Sequence, residues 1–374
     1  FSAPIAYQYI AGKKQKVEVA YNIQGKEYGF TIGKYDKTKE LVIDPLISCF
    51  FLEADDWHSN IVSMAVDSDD NLYVGHNYCI WKLDSKIETL LSAVSFGRTT
   101  GGRINDIAID HQDSVFVVGI NSQESEEFPV TENAFDTQYW AGEGFVAKFD
   151  AGLRLTAATF VGGHYSEAVN SIAVDQADDI FITGYMRDYN DTDDPFPHLP
   201  AGYDPNPGND AVPKVFVLKL DGRLENLLAS TFLGGNADRE IGNCIDIDMN
   251  GNIIVAGKTY SPDFPLTQGV VDATFMGENE IFVSKFDPAL QNLLASTFLG
   301  GINVEELSAL ALDQQNNIYV AGWTESSDFP ISTNGYDQDF NLLEDGFLTK
   351  LDSNLSQLLG STFIGGESRD EIYA

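Results

Sequence analysis

Positive charge is scarce in this chain of 374 residues: 22 Lys and Arg stand against 57 Asp and Glu, a formal net charge of −35 at pH 7. Such a field repels phosphate backbones and anionic lipid, which excludes nucleic acid and direct membrane insertion as principal partnerships. The deficit is uneven, because residues 1–46 hold seven Lys against five Asp or Glu. Cysteine is nearly absent. Cys49, Cys79 and Cys244 form an odd set without metal-type spacing, and they read as small apolar fillers of strands rather than as a disulfide. No apolar run approaches the ~20 residues of a membrane-spanning helix. No signal peptide is visible, as expected of a mature or trimmed chain. HExxH, GxSxG and phosphate-cradling glycine loops are all missing, and the five histidines are scattered. Abundant carboxylates alone mark no active site. What remains is 43% hydrophobic, enough for a folded, acidic protein with a large core.

Against these absences stands a repeat. Leu-Leu-Ala-Ser-Thr-Phe-Leu-Gly-Gly occurs at 227–235 and again, letter for letter, at 293–301, with looser copies at 155–163 and 358–366. Each copy carries four short apolar runs, and the third ends on Asp84, Asp150, Asp221, Asp287 and Asp352, at steps of 66, 71, 66 and 65 residues. The runs are rich in Val, Ile, Phe and Thr and are bounded by Gly, Asn and Asp, which is strand chemistry. Several are apolar on both faces, so neither side looks towards water. Four-stranded sheets with two buried faces, repeated in tandem, predict an all-β propeller of four-stranded blades. The Asp- and Asn-rich segments that start at Asp67, Asp110, Asp175, Asp248 and Asp313 read as hairpin turns rather than calcium loops.

The cycle Ser296–Gly301, Glu305, Leu310–Asp313, Asn316–Gly322, Ser327–Ser332 and Gly346–Asp352 resembles the bacterial SBBP family of seven-bladed β-propeller repeats. The resemblance covers about residues 47–374. It implies a propeller fold in a secreted or surface-attached protein of a Gram-negative, Bacteroidetes-like bacterium using type IX secretion, and it supplies no catalytic residues.

Two domains are expected: a small β-rich module over 1–45 and the repeat domain over 46–374. The latter reads as five blades plus the opening of another, with six or seven in an intact ring. The run Leu46–Leu52 is expected to complete the last blade and close that ring.

The longest loops, 120–143, 185–213, 258–280 and 323–345, are predicted on one face, where binding is usual. Their repeated Phe-Pro pairs, at Phe128, Phe196, Phe264 and Phe329, read as structural. Non-repeated residues are therefore the candidates for ligand contact: Tyr139, Trp140, Tyr185, Tyr189, His198 and Trp323. Glu167, Glu240 and Glu305, continued by Asp370 or Glu371, form a candidate carboxylate ring at the channel mouth for Ca²⁺ or a basic group. The alternative is that each Glu braces nearby backbone N–H groups. The leading functional expectation is a non-enzymatic binding or adhesion scaffold for a protein or polysaccharide at the cell surface. A carbohydrate-active enzyme and a passive spacer are the alternatives.

Overall fold

A computed structural model of the chain describes residues 5–10, 13–24, 27–39, 41–44, 61–77, 79–95, 102–121, 128–140, 142–163, 167–186, 196–205, 213–236, 239–341, 343–366 and 368–373. Leu46–Leu52, Cys49 and Tyr189 lie outside the described residues.

Near the N-terminus, Lys13–Val17, Ile5–Ile10 and Val42–Asp44 form a three-stranded antiparallel sheet, and Val19–Gln24 pairs with Glu27–Ile32 in a hairpin. Gln8 is buried there and donates from Nε2 to the carbonyls of Asp36 and Lys39.

Five antiparallel four-stranded meanders follow. The first comprises Ile61–Val66, Leu72–His76, Cys79–Leu83 and Leu90–Ser95; the second Gly102–Ile109, Val115–Asn121, Gly144–Phe149 and Leu155–Val161. The third comprises Ala168–Val174, Ile180–Met186, Lys214–Leu220 and Leu227–Leu233. The fourth has Glu240–Ile247, Ile253–Thr259, Glu280–Phe286 and Leu293–Leu299, and the fifth Glu305–Leu312, Ile318–Thr324, Asp345–Leu351 and Leu358–Ile364. First strands of successive blades pack on one another, so they are the inner strands of a β-propeller.

The core is four layers, each pressed between consecutive blades. Ile281 and Val283 face the fifth blade, while Phe282 and Phe286 on the same strand face the third. This two-sided burial removes the polar alternation expected of a half-exposed strand.

Polar stitches repeat at each junction. Every inner strand carries a bulge, and the residues just after it are Ser63, Asp106, Ser171, Cys244 and Ala309. Asp106 accepts from Ser63 Oγ at 2.7 Å and from Ser171 Oγ at 2.8 Å, joining three inner strands. Asn105 and Asn170, at the bulges themselves, donate to the carbonyls of Val169 and Gly242 in the following blades. Cys79 and Cys244 are free thiols on half-buried strand positions.

The aspartates at 67, 110, 175, 248 and 313 do open hairpin turns. Each Oδ1 accepts the N–H groups two and four residues on, and the residue between them, Asp70, Asp113, Asp178, Gly251 or Asn316, has positive φ. Sequence reading missed their partners. Lys82, Lys148, Lys219, Lys285 and Lys350, on the third strands, bridge these aspartates at 2.8–3.0 Å. Three of these lysines also donate into the next blade, to the carbonyls of Ala151, Gly222 and Ser353.

At the two ends of the series the matching positions lie open. Ile61, Met64 and Val66 are exposed on the first inner strand, although their counterparts Ile104 and Ile107 are buried. Leu348 and Ile364 are exposed on the fifth blade.

Candidate binding surface

The long loops do not stand free above the blades. The described part of each lies along the outer edge of its own blade and pairs with it. In the fourth blade Thr267 N–H donates to the Ser296 carbonyl at 3.2 Å, Ser296 N–H donates to Thr267 Oγ1 at 3.0 Å, and Phe298 N–H donates to the Asp272 carbonyl at 3.1 Å. The second and fifth blades repeat this through Thr131–Ala158 and Asp136–Phe160, and through Ser332–Ser361 and Asp337–Phe363. The third keeps Asp204–Phe232. These straps cover the unpaired outer strand, an edge that would otherwise template foreign strand pairing.

A strap also fastens the following blade. Phe135, Tyr203 and Val271 donate their N–H groups to the carbonyls of Leu224, Leu290 and Leu355, each at the 3–4 hairpin of the next blade. Those leucines are fully buried with φ between 56° and 61°. A branched side chain rarely adopts that region, and here burial and the strap hold it there. Phe128, Phe196, Phe264 and Phe329 are buried under their loops, with Phe264 4.6 Å from the Phe282 ring and Phe329 4.4 Å from Phe347. Their structural reading holds.

Of the proposed contact residues, Tyr139 turns out to be part of this frame. It packs on Phe160 at 5.2 Å, as Phe275 packs on Phe298 and Phe340 on Phe363. Its repetition was legible, since each aromatic stands eleven residues after the Phe of a Phe-Pro pair. Trp140 is different: its N–H donates to Glu143 Oε2 while its ring is exposed. The same backbone bond is made by Met276 N–H to Glu280 and by Asn341 N–H to Asp345, so Trp140, Met276 and Asn341 share one position with three different side chains. His198 lies on the third strap, with Nδ1 2.9 Å from the Phe196 carbonyl. Tyr185 and Trp323 are half-buried at one register position of two second strands, just after Gly184 and Gly322. Tyr139 and Trp140 belong to the second blade, Tyr185 and His198 to the third and Trp323 to the fifth, and no contact joins them into one pocket among the described residues.

The glutamates are not an open ring at a channel mouth. Glu167, Glu240 and Glu305 are buried at separate blade junctions. Glu305 Oε1 accepts from Gly301 N–H at 3.2 Å, Thr324 Oγ1 at 3.0 Å and Ser326 Oγ at 2.5 Å. Glu240 Oε1 likewise accepts from Gly235 N–H and Ser261 Oγ. The brace is thus present, on one oxygen of each. Asp370, rather than Glu371, continues the series, accepting from Gly366 N–H at 2.6 Å. Glu371 instead pairs with Arg369 and Tyr373.

A second acidic set went unread in the sequence. Glu280 and Asp345 open their third strands, Glu143 directly precedes its own, all three are buried, and the same register position in the third blade is Lys214. They abut strands whose apolar runs dominate the pattern, so they read as strand ends. Burial, only partly offset by hydrogen bonds, pushes Glu240 and Glu305 up to about 7 and Glu280 up to about 8, with Glu305 raising Glu280 further.

Comparison with known proteins adds a family only at the N-terminus, where residues 1–46 match a domain of unknown function (DUF7948). No curated protein matches the chain. Among solved structures it is similar to a protein of unknown function from Bacteroides caccae, at 10% identity and a TM-score of 0.45, over 97% of this chain and 94% of that one. It is also similar to a quinohemoprotein alcohol dehydrogenase from Pseudomonas putida (10% identity, TM-score 0.44, 82% of this chain and 44% of that one). A third is the calcium-binding protein regucalcin from Agrobacterium tumefaciens (11% identity, TM-score 0.37, 70% and 68%). Likenesses this distant assign no activity to the chain; its own structure is, among the described residues, a β-propeller of five four-stranded blades that follow a small β module in the sequence.

Proposed function

We propose that this chain is a non-enzymatic recognition scaffold of the SBBP-repeat kind, displayed outside a Gram-negative cell, that binds a surface protein or polysaccharide. One observation carries the reading: a fixed frame presents side chains that change from blade to blade. Phe-Pro, the strap-to-strand bonds and the acid-capped N–H recur, yet the capped residue is Trp140, Met276 or Asn341. Constant frames with variable tips are how repeat proteins build contact surfaces. Indole and thioether side chains give large apolar contact area, and the acidic surroundings favour a partner with basic or polar groups.

The test is capture of partners from outer-membrane and extracellular-polymer extracts by the wild-type chain and by Trp140→Ala/Met276→Ala. A defined partner retained by the wild type and lost by the variant, at equal thermal stability, supports the scaffold. Equal capture by both rejects this surface, and turnover of a polysaccharide by the wild type rejects the non-enzymatic reading.

A further inference from the structure

The junction between the fourth and fifth blades buries two carboxylates side by side without a balancing charge. Glu280 arrives from the start of a third strand and Glu305 from the next inner strand, and each is at most 1% exposed. Their Oε1 atoms are used: Glu280 accepts from Met276 N–H at 2.9 Å and Gly277 N–H at 3.3 Å, and Glu305 is braced as described. Both Oε2 atoms are buried with no hydrogen-bond partner. They converge on Gly300: a Cβ there would overlap Glu280 Oε2 and stand 2.9 Å from Glu305 Oε2. The first glycine of the Gly-Gly pair is therefore required by the space two carboxylate oxygens occupy.

Three backbone carbonyls gather around Gly277, next to Glu280. The carbonyls of Gly301 and Asn279 lie 2.8 and 2.9 Å from where a Cβ on Gly277 would stand, and the Asn303 carbonyl is closer still. Gly277 is the residue whose N–H is bound to Glu280. Asn279 locks the two blades at this level, donating to the Glu305 carbonyl at 2.7 Å and accepting from Glu305 N–H at 3.1 Å.

Two buried carboxylates that share a space cannot both stay ionised without a compensating cation. In the preceding junction Glu240 also has a free buried Oε2, but the register position of Glu280 is Lys214, which pairs with Asp204 at 3.4 Å, so the chain places no second acid there. At the fourth–fifth junction it supplies a second acid. Oxygen-only donors, carboxylates mixed with carbonyls, are the set that suits a hard divalent cation with flexible coordination, Ca²⁺ before Mg²⁺.

We propose that Glu280 Oε2 and Glu305 Oε2 bind a Ca²⁺ ion that clamps the fourth blade to the fifth. The site differs from a carboxylate ring around the axis, because its two acids come from one junction and one of them, Glu280, belongs to a third strand. Glu280 Oε1 also caps Met276 N–H, but the side chains of Trp140 and Met276 take no part in the site, so it stands whether or not they contact a ligand.

The experiment is calorimetric titration of the EDTA-stripped chain with CaCl₂, in parallel with thermal melts in EDTA and in millimolar Ca²⁺, on three proteins: wild type, Glu280→Gln/Glu305→Gln and Gly300→Ala. The amide variant removes the charge and keeps the shape; the alanine variant keeps both charges and fills the shared space. The proposal expects wild type to melt higher in Ca²⁺ and both variants to bind one equivalent fewer. It also expects the amide variant to equal or exceed wild type in EDTA, since it no longer buries two acids. Equal Ca²⁺ uptake by wild type and the amide variant overturns it. So does a wild-type melting point that is the same in EDTA and Ca²⁺, which leaves a shared proton as the balancing charge. Should the amide variant fail to fold, undiminished uptake by Gly300→Ala overturns the proposal by itself.

Discussion

Replacing Lys285 by Met should be among the most damaging single changes in the blades. Lys285 Nζ lies 2.8 Å from Asp248 Oδ2, with side-chain exposures of 10% and 0%, and also donates to the Ser353 carbonyl of the next blade at 3.1 Å. Met keeps the apolar stem and removes the ammonium. Asp248 then retains Asn252 Nδ2 and two turn N–H groups but loses the only cation bridged to it among the described residues. Removing one partner of a buried ion pair costs about 3–5 kcal/mol, and the partial exposure of Lys285 places this case near 3. Burial alone would raise the Asp248 carboxyl, but Lys285, Asn252 and the turn N–H groups outweigh it and hold it below the ordinary carboxylate range. The stabilisation is therefore present above the unfolded value of 3.8 and lost as pH falls through the lower folded value. Urea unfolding at pH 7 reads the loss, and the Asp248→Asn/Lys285→Met variant should recover part of it because the stranded charge is gone. A loss under about 1 kcal/mol, the range of exposed pairs, would refute the argument.

Phe264→Ala should cost about 3–5 kcal/mol, because a ring buried against Phe282 and Phe298 is deleted; limited proteolysis should then cut within 260–279, where the wild type resists. Stability in EDTA should fall as pH rises from about 4.5 to about 8, since Glu240, Glu280 and Glu305 hold their protons longer folded than unfolded. Thermal melts across that range check the sign, and Glu280→Gln should flatten the slope. Asp106→Ala should loosen three inner strands at once, visible as faster amide exchange at Ile107 and Ile172, whose N–H groups it accepts.

Strand chemistry, the period and the turns were legible because each depends on local composition: Val, Ile and Phe runs ending on Asp, then Asn or Gly at positive φ. The burial of the Phe-Pro rings could also be inferred, because a residue repeated in every loop serves what the loops share. The path of the loops was not legible. Whether 260–279 rises above its blade or lies along Leu293–Leu299 is decided by bonds between residues some 25 to 30 apart, such as Thr267 with Ser296. Lys285 lay unread for a similar reason: alternation along its strand gives no sign that a lysine facing inward meets Asp248. Tyr139 reads as a variable residue only until its spacing from Phe128 is matched to that of Phe275 from Phe264 and Phe340 from Phe329. Glu280 was passed over because the partner that makes it unusual, Glu305, belongs to the next blade.

The claim on which the rest depends is that the long loops are edge-covering straps whose tips alone are free for recognition. Hydrogen–deuterium exchange on the outer strands tests it directly. Phe160, Phe232, Phe298 and Phe363 donate their edge N–H groups to strap carbonyls, whereas in the first blade the second strand ends at His76 and the third begins at Cys79, which leaves no length for a strap, and Leu90 and Leu91 on its outer strand are exposed. Slow exchange in Leu293–Leu299 beside fast exchange in Leu90–Ser95 is the predicted result. Equally fast exchange in both strands would mean that the loops stand away from the blades, and the account would be wrong.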